Sequence, residues 1–219
     1  MQKPKAILLL SGGIDSTNLL AQLSGEGKDI YALSFDYGQK HLVELDFAAK
    51  SAKKYGVKNH AIVNLDNSLF KNSNALTNPL LEMTNAIQPA LAVVPARNTM
   101  FLSFALSYAQ CIGAGEIYVA YNADDNTNFP DCSIAFVKAF NQLIALQNRS
   151  EQPIKVVAPF IEMTKVEVVK LSAELGVNLG ETISCYQPIG QLECGSCLSC
   201  TLKQQAIKEA DMTAQCSQN

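Results

Sequence analysis

The chain has 219 residues, 48% of them apolar, with 17 Lys and Arg against 20 Asp and Glu and a formal net charge of −3. That is enough for one sizeable core, with room for a small appended module. The acidic balance argues against a broad grip on nucleic acid, and no apolar run is long enough to span a bilayer or flanked like a signal peptide, so the expectation is a soluble, cytoplasmic protein without strong nucleic-acid binding and without a membrane segment.

Apolar runs alternate with helical patterns along the chain. Residues 6–10 form a short continuous apolar run, read as a buried strand, and residues 15–24 follow as a helix. Residues 30–35 give a second strand. Residues 41–55 place Leu42, Leu45, Ala49 and Ala52 on one helical face, with Gly56 as the stop. Residues 60–65 give a third strand. This rhythm implies a parallel sheet covered by helices on both faces.

Residues 66–96 break the rhythm. They are rich in Asn and contain three prolines, and read as a loop over the site. Residues 97–112 are expected as a well-buried helix that carries Cys111 into the core, and residues 116–121 as another strand. The polar segment 122–133 (NADDNTNFPDCS) reads as a loop. Residues 134–147 read as a helix and 154–157 as the last strand. Thr164 and Glu167 have the spacing of a capping box, opening a helix to about Leu175. Cys216 falls in an expected loose tail.

In open α/β sheets, ligands sit beyond the carboxyl ends of the strands. Residues 11–17, 36–41 and 122–133 are polar segments at such ends. The first lies in LLLSGGIDST, residues 8–17. Gly12 and Gly13 allow backbone conformations that a side chain would block, and the helix after them adds its positive end and free amides. Ser11, Ser16 and Thr17 supply hydroxyl donors, which makes a pyrophosphate-sized anion site. The Lys of a P-loop and the G-x-G-x-x-G of a dinucleotide site are both missing. The pattern S-G-G-x-D-S instead resembles the pyrophosphatase loop of enzymes that split ATP into AMP and pyrophosphate.

Four of the seven cysteines, Cys185, Cys194, Cys197 and Cys200, form C-x8-C-x2-C-x2-C. Four soft ligands at this spacing suit a closed tetrahedral zinc site of structural type, with Gly195 easing the turn between two of them; an iron–sulfur cluster would use the same ligands. Two units are therefore expected: residues 1–180 as an adenine nucleotide alpha hydrolase-like, Rossmann-like α/β domain with a pyrophosphatase loop, and residues 181–219 as a zinc-binding module. Cys132 lies in the polar loop, where spacing points to a structural role.

FDYGQKH at residues 35–41 closely resembles the segment after the second strand in the 7-cyano-7-deazaguanine synthases. VPARNTMFLS (94–103), FPDC (129–132), TKVE (164–167) and SCY (184–186) are similar to that family's other blocks, so the resemblance runs over residues 5–202. It implies an ATP-dependent, carbon–nitrogen bond-forming ligase of queuosine biosynthesis that turns 7-carboxy-7-deazaguanine and ammonia into a nitrile. One ATP adenylates the carboxylate and ammonia displaces AMP. A second ATP activates the resulting amide, and AMP leaves again.

By this resemblance Leu10, Ser11, Gly12, Gly13, Ile14, Asp15, Ser16 and Thr17 hold ATP, with Mg2+ sharing the phosphate charge. Asp15, Arg97 and Lys165 carry catalysis, and Asp36, Tyr37, Gln39, His41, Asn98 and Asp131 line the base or ammonia side. A homodimer is also implied. The chain departs from the family at Ala120 and Asn128 (usually Gly), Phe129 (usually Tyr) and Ser133 (usually Arg). On sequence, three other readings stay open: a paralogue adenylating a different carboxylate, a tRNA-modifying member of the superfamily, and a zinc-stabilised nucleotide-binding component without catalysis.

Overall fold

The computed structural model describes residues 3–81, 89–147 and 153–216. Its sheet consists of β1 (Lys5–Leu9), β2 (Asp29–Asp36), β3 (Asn59–Asn64), β4 (Glu116–Tyr118) and β5 (Lys155–Val157), in the order β3-β2-β1-β4-β5. Every neighbouring pair is parallel. The strand β1 is central, and this explains its unbroken apolar run: a parallel strand covered on both faces needs apolar residues on both. Ala6 and Leu8 face one core and Ile7 the other, all three fully buried.

Among the described residues there are seven α-helices: α1 (Ile14–Gly25), α2 (Glu44–Lys54), α3 (Arg97–Ile112), α4 (Ala123–Asn128), α5 (Ile134–Gln147), α6 (Lys165–Glu174) and α7 (Leu198–Cys216). Leu19, Leu20 and Leu23 of α1, Ala48 and Ala52 of α2 and Val168 of α6 close one face. Leu102, Ala105 and Leu106 of α3 with Phe140 and Ile144 of α5 close the other. Each fully buried Leu or Ile contributes roughly 1.5–3 kcal/mol, so the layers are held chiefly by apolar burial. The strand order reverses between β1 and β4, and that switch point opens a crevice at their carboxyl ends.

The expected strands and most helices are present, with boundaries shifted by a few residues. Four expectations are corrected. Residues 122–133 are not a loop: Asn122 caps α4 by accepting from the Asp124 and Asp125 amides, while Asp125 reaches back to the Asn122 amide. Both ends of this box are Asx residues, so the segment reads as merely polar. The buried face of α2 is Phe47, Ala48, Ser51 and Ala52; Leu42 lies in the preceding turn, 45% exposed, and Ala49 faces outward. Cys111 is exposed, because α3 buries a face carrying Leu102, Ala105, Leu106 and Ala109. The backbone of residues 198–216 is not a loose tail but the helix α7, packed on α6 through Ala206 and Ala210 against Val169. Of the irregular segment 66–96, residues 82–88 lie outside the described residues.

Charges clamp the opposite, amino-terminal edge of the sheet. Glu116 accepts from Lys28 at 2.8 Å and from the Tyr118 hydroxyl at 2.8 Å, and pairs with Lys155 at 3.2 Å. Burial would raise the Glu116 carboxyl, but these three donors overcome it and hold it at about 2, against an ordinary 4.5. A depressed folded value adds stability that is present above the unfolded value and lost as pH falls through the folded one. Glu116→Gln should therefore cost on the order of 2 kcal/mol at pH 7, and its deficit relative to wild type should shrink as pH falls from about 4.5 toward 2. Urea unfolding of both proteins at a series of pH values checks this; a pH-independent deficit contradicts it.

Candidate active site

Between β1 and α1, the backbone of Gly12 takes φ +81°, and a Cβ there would stand 2.5 Å from the Glu44 carbonyl oxygen and 2.7 Å from the Ala48 nitrogen. Glycine is demanded by both conformation and space. Gly13, at φ −78°, is in an ordinary extended conformation, so the freedom expected of both glycines is used at Gly12 alone. The hydroxyl of Ser16 donates to the Gly13 carbonyl at 3.2 Å and lies 3.1 Å from the Ser11 hydroxyl. No side chain among the described residues caps α1, so its first-turn amides are left for another acceptor. The Thr17 Oγ1 is buried without a hydrogen-bond partner among the described residues. Leu10 and Ile14 are core residues, 2% and 0% exposed, so they serve the loop through their backbone.

A cavity of about 280 Å³ lies beyond this loop. Leu10, Ser11, Asp15 and Ser16 form one side; Tyr37, His41 and Glu44 come from the segment after β2. Arg97, Asn98 and Phe101 enter from the start of α3, and Tyr121, Phe129, Cys132 and Tyr186 complete the wall. Ala92, at the end of the irregular segment, also lines it. Three expected substrate residues do not line this cavity. Asp36 accepts from the Gly38 amide at 3.0 Å and shapes a turn. Gln39 is buried behind the wall, donating to the Phe35 carbonyl and to Glu44 Oε1, each at 2.8 Å. Asp131 offers its backbone carbonyl to Asn98 at 3.5 Å.

Arg97 is held for action. It begins α3 directly after Ala96, whose φ of 53° puts a non-glycine residue in the left-handed region at a cost of about 1 kcal/mol or more. Its guanidinium donates to the Tyr37 hydroxyl at 3.3 Å and lies 5.8 Å from that ring's centre. Burial raises the Tyr37 phenol, so it stays a neutral acceptor. Burial and the Arg97 charge push His41 down to about 3, and it is neutral; its 3.5 Å approach to Glu44 is therefore not an ion pair at neutral pH. Burial pushes Glu44 up to about 7, against the hydrogen bond from Gln39 and the charge of Arg97.

Across the switch point, Lys165 Nζ donates to Asp15 Oδ2 at 2.5 Å, and Asn122 Nδ2 donates to Asp15 Oδ1 at 3.2 Å. Burial would lower the Lys165 ammonium, but the charge and hydrogen bond of Asp15, with the charges of Asp125 and Asp124, together raise it. Burial, then the Asp15 charge, raises Asp125. The amino-terminal ends of α1 and α6, both positive by their dipoles, converge here with a lysine. A second cavity of about 380 Å³, between α4, α6 and α7, is lined by Lys165 and shares Ala92, Asp125, Phe129 and Tyr186 with the first. Of the departing positions, Ala120 and Phe129 sit at the cavity wall, while the Ser133 hydroxyl donates to the Pro130 carbonyl at 2.7 Å and accepts the Phe136 amide, capping α5.

The four cysteines come together on the far side of the loop. Their sulfurs all lie within 4.8 Å of one another, with Cys194–Cys200 and Cys185–Cys197 at 4.0 Å. Four sulfurs about 2.3 Å from one tetrahedral ion stand roughly 3.8 Å apart, so the set fits a single metal ion and is too tight to surround a multi-iron cluster. Amides of Gln187 and Cys194 point at Cys185 Sγ, and that of Cys197 at Cys194 Sγ, as thiolate ligands require. Gly195, at φ +74°, makes the turn. The segment is tied to the loop itself, since the Ile183 amide donates to the Gly12 carbonyl at 3.0 Å. Cys132 stands in the cavity wall with a buried thiol, raised to about 12 by burial, that accepts from Asn98 at 3.3 Å.

Sequence reasoning missed Glu44, Asn122, Tyr121 and Asp125. The capping-box spacing of Asn122 and Asp125 was an available signal for two of them. Glu44 carried none, because its side chain turns inward at the helix start where a charged residue ordinarily faces solvent.

A glycine turn after the central strand, an uncapped helix behind it and a cation across the switch point define a pyrophosphatase-loop nucleotide-binding α/β protein. The solved NMN synthetase from Francisella tularensis shares the fold, with a TM-score of 0.53 at 16% identity over 96% of this chain and 77% of that one. The chain belongs to the family described as queuosine biosynthesis protein QueC, whose pattern it matches over residues 5–211. It is 42% identical to the 7-cyano-7-deazaguanine synthase of Trichodesmium erythraeum, over 95% of this chain and 98% of that protein. It is 40% identical to that of Saccharophagus degradans (97% and 96%) and 42% identical to that of Legionella pneumophila (94% and 93%).

Replacing Cys197, which is 0% exposed in the cysteine cluster, with Ser should drop bound metal from about one equivalent per chain toward zero, and should lower the melting temperature by several degrees. Elemental analysis and thermal melting read both; full metal content in the variant contradicts the ligand assignment.

Proposed function

We propose that the chain forms 7-cyano-7-deazaguanine from 7-carboxy-7-deazaguanine, ammonia and two ATP. The observation that carries this reading is the near-full-length similarity to proteins of that name, with the SGGIDS loop placed at the switch point. The geometry suits adenylation. A carboxylate is a poor electrophile until one oxygen becomes a leaving group. Attack of that oxygen on the α-phosphorus of ATP expels pyrophosphate, whose growing charge must be met by fixed donors.

In this reading the amides of the loop and of the α1 start, with Ser11, Ser16 and Thr17, take the phosphates; the backbone of Leu10, Gly12, Gly13 and Ile14 shapes that cradle. Thr17 Oγ1, buried and unpartnered among the described residues, is consistent with a missing acceptor. Lys165 exchanges part of its bond to Asp15 for a phosphate oxygen, and Asp15 holds it in place until then. With Mg2+ bound beside the nucleotide, the loop amides and Lys165 would share the phosphate charge with the ion. Arg97 offers a two-pronged donor to the substrate carboxylate. Ammonia then attacks the adenylated carbonyl and AMP leaves, carrying one carboxylate oxygen. The amide oxygen repeats the attack on a second ATP, and departure of the second AMP leaves the nitrile.

The cysteine site takes Zn2+ in a structural role, because four protein sulfurs leave no open position for water. Residues 1–180 act as the ATP-binding domain and residues 181–219 as the zinc module. Tyr37, His41 and Asn98 serve the base or ammonia side at the cavity wall, with Asp36, Gln39 and Asp131 acting from behind it. The family resemblance further supports a cytoplasmic homodimer. No helix among the described residues is long and apolar enough to cross a membrane.

Incubation with ATP, Mg2+, ammonium and 7-carboxy-7-deazaguanine should yield AMP and, by mass, the nitrile. Asp15→Ala should cut AMP formation by at least about 100-fold with zinc content unchanged. No nitrile from folded, zinc-loaded protein, or full AMP formation by the variant, contradicts the reading.

A further inference from the structure

We infer that Glu44 is the specificity-determining residue of the cavity, reading the two-donor edge of a 2-amino-4-oxopyrimidine ring. The inference rests on the function proposed above and names how the base is chosen.

Glu44 sits at the start of α2 with its backbone against Gly12 and its side chain on the cavity wall, 16% exposed. Its neighbours on that wall are rings. Phe35 and Phe101 stack at 3.9 Å between centroids, Tyr37 lies 5.7 Å from Phe101, and His41 lies 5.8 Å from Tyr186. Phe35 and Phe101 stack on each other, so the rings form an aromatic wall of the cavity rather than a slot; such a wall suits one side of a flat heterocycle, and the carboxylate beside it supplies the edge contact.

The acceptor count favours a guanine-type edge. A carboxylate has about four lone-pair sites on two oxygens. Among the hydrogen bonds of Glu44, Gln39 Nε2 takes one site on Oε1 at 2.8 Å. Gln39 is itself fixed by the Tyr37 amide and the Phe35 carbonyl, so it cannot swing away without breaking both. Oε2, with His41 Nε2 beside it at 3.5 Å, and the second lone pair of Oε1 keep acceptor capacity in the ionised form, which two ring donors would favour against the burial that raises Glu44. A guanine-type ring presents a ring N–H and an exocyclic NH2 side by side, two donors matched to two carboxylate oxygens. Adenine presents an acceptor beside its donor, which would set a ring nitrogen lone pair against a carboxylate oxygen. Glu44 therefore selects the deazaguanine ring and rejects adenine, keeping the adenine of ATP out of the wrong end of the site. Arg97, on the same wall, is left for the exocyclic carboxylate.

Glu44→Gln is the informative change. Its Oε1 still accepts from Gln39, so its NH2 must face the ring's donors. The probes are 7-carboxy-7-deazaguanine and its 2-deamino analogue, 7-carboxy-7-deazahypoxanthine, with calorimetric binding and nitrile formation both read. A site built to bond an N–H rejects an analogue lacking it strongly, so the wild type should prefer the amino compound by about 100-fold or more in kcat/KM, and in the same sense in affinity. Glu44→Gln should collapse that preference to within about tenfold, with KM for ATP unchanged, while Glu44→Asp, which keeps both acceptors, should retain most of it. Equal binding of the two bases by wild type overturns the inference without reference to any variant, as does undiminished preference in Glu44→Gln. Selective binding of the amino compound without nitrile formation would leave the Glu44 assignment standing and sink the proposed reaction instead.

Discussion

The site depends on how closely the backbone of α2 approaches Gly12. A Cβ at that residue would overlap the Glu44 carbonyl oxygen at 2.5 Å, so the loop and the helix touch through main chain alone. The contact has consequences in three directions. It fixes the curve of the loop, so that the open end of α1 faces the switch point. It fixes the first residue of α2, so that the Glu44 side chain enters the cavity. The Gly12 carbonyl, on the other side, accepts the Ile183 amide and so ties the cysteine segment to the same turn. A metal ion outside the cavity can thereby stiffen the loop without touching substrate.

The second organising feature is the separation of charge across the crevice. Arg97 and Glu44 stand on the wall shared by β2 and α3, in a buried, ring-lined setting. Asp15, Lys165 and Asp125 stand on the α1–α4–α6 side. On this wall burial dominates: it raises Glu44 to about 7 and lowers His41 to about 3. On the other side, burial would lower Lys165, but the charge and hydrogen bond of Asp15 together with the charges of Asp125 and Asp124 raise it. One side can therefore handle a planar base and its carboxylate, and the other a highly charged phosphate chain. An unpaired buried charge is costly, so each is braced: Arg97 by Tyr37, Glu44 by Gln39, Asp15 by Asn122 and Lys165.

Much of this was legible in the sequence, for identifiable reasons. The unbroken run of β1, the S-G-G-x-D-S pattern and the Thr164–Glu167 capping box are local signals, and the structure matches them locally. The cysteine spacing was equally local, since three ligands fall within one tight turn and helix start. Long-range geometry was not legible. Nothing near Glu44 says that its side chain turns inward, because that direction is set by the contact of α2 with Gly12, 32 positions away in the chain. Asp36 and Gln39 looked like ligand contacts because they sit in the recognisable FDYGQKH segment, but their bonds run to the chain's own turn. Residues 122–133 were mistaken for a loop because an Asn–Asp capping box is weaker in sequence than the Thr–Glu one.

The central claim is that the loop at Gly12 serves adenylyl transfer twice, first to a carboxylate oxygen and then to the oxygen of the resulting amide. Substrate labelled with 18O in both carboxylate positions tests it most directly. If each activation proceeds through the α-phosphorus, both labelled oxygens must leave on AMP, so mass spectrometry of the AMP formed should show one 18O in each of the two AMP molecules per nitrile. Label in inorganic phosphate with release of ADP, or AMP without label, would contradict the account.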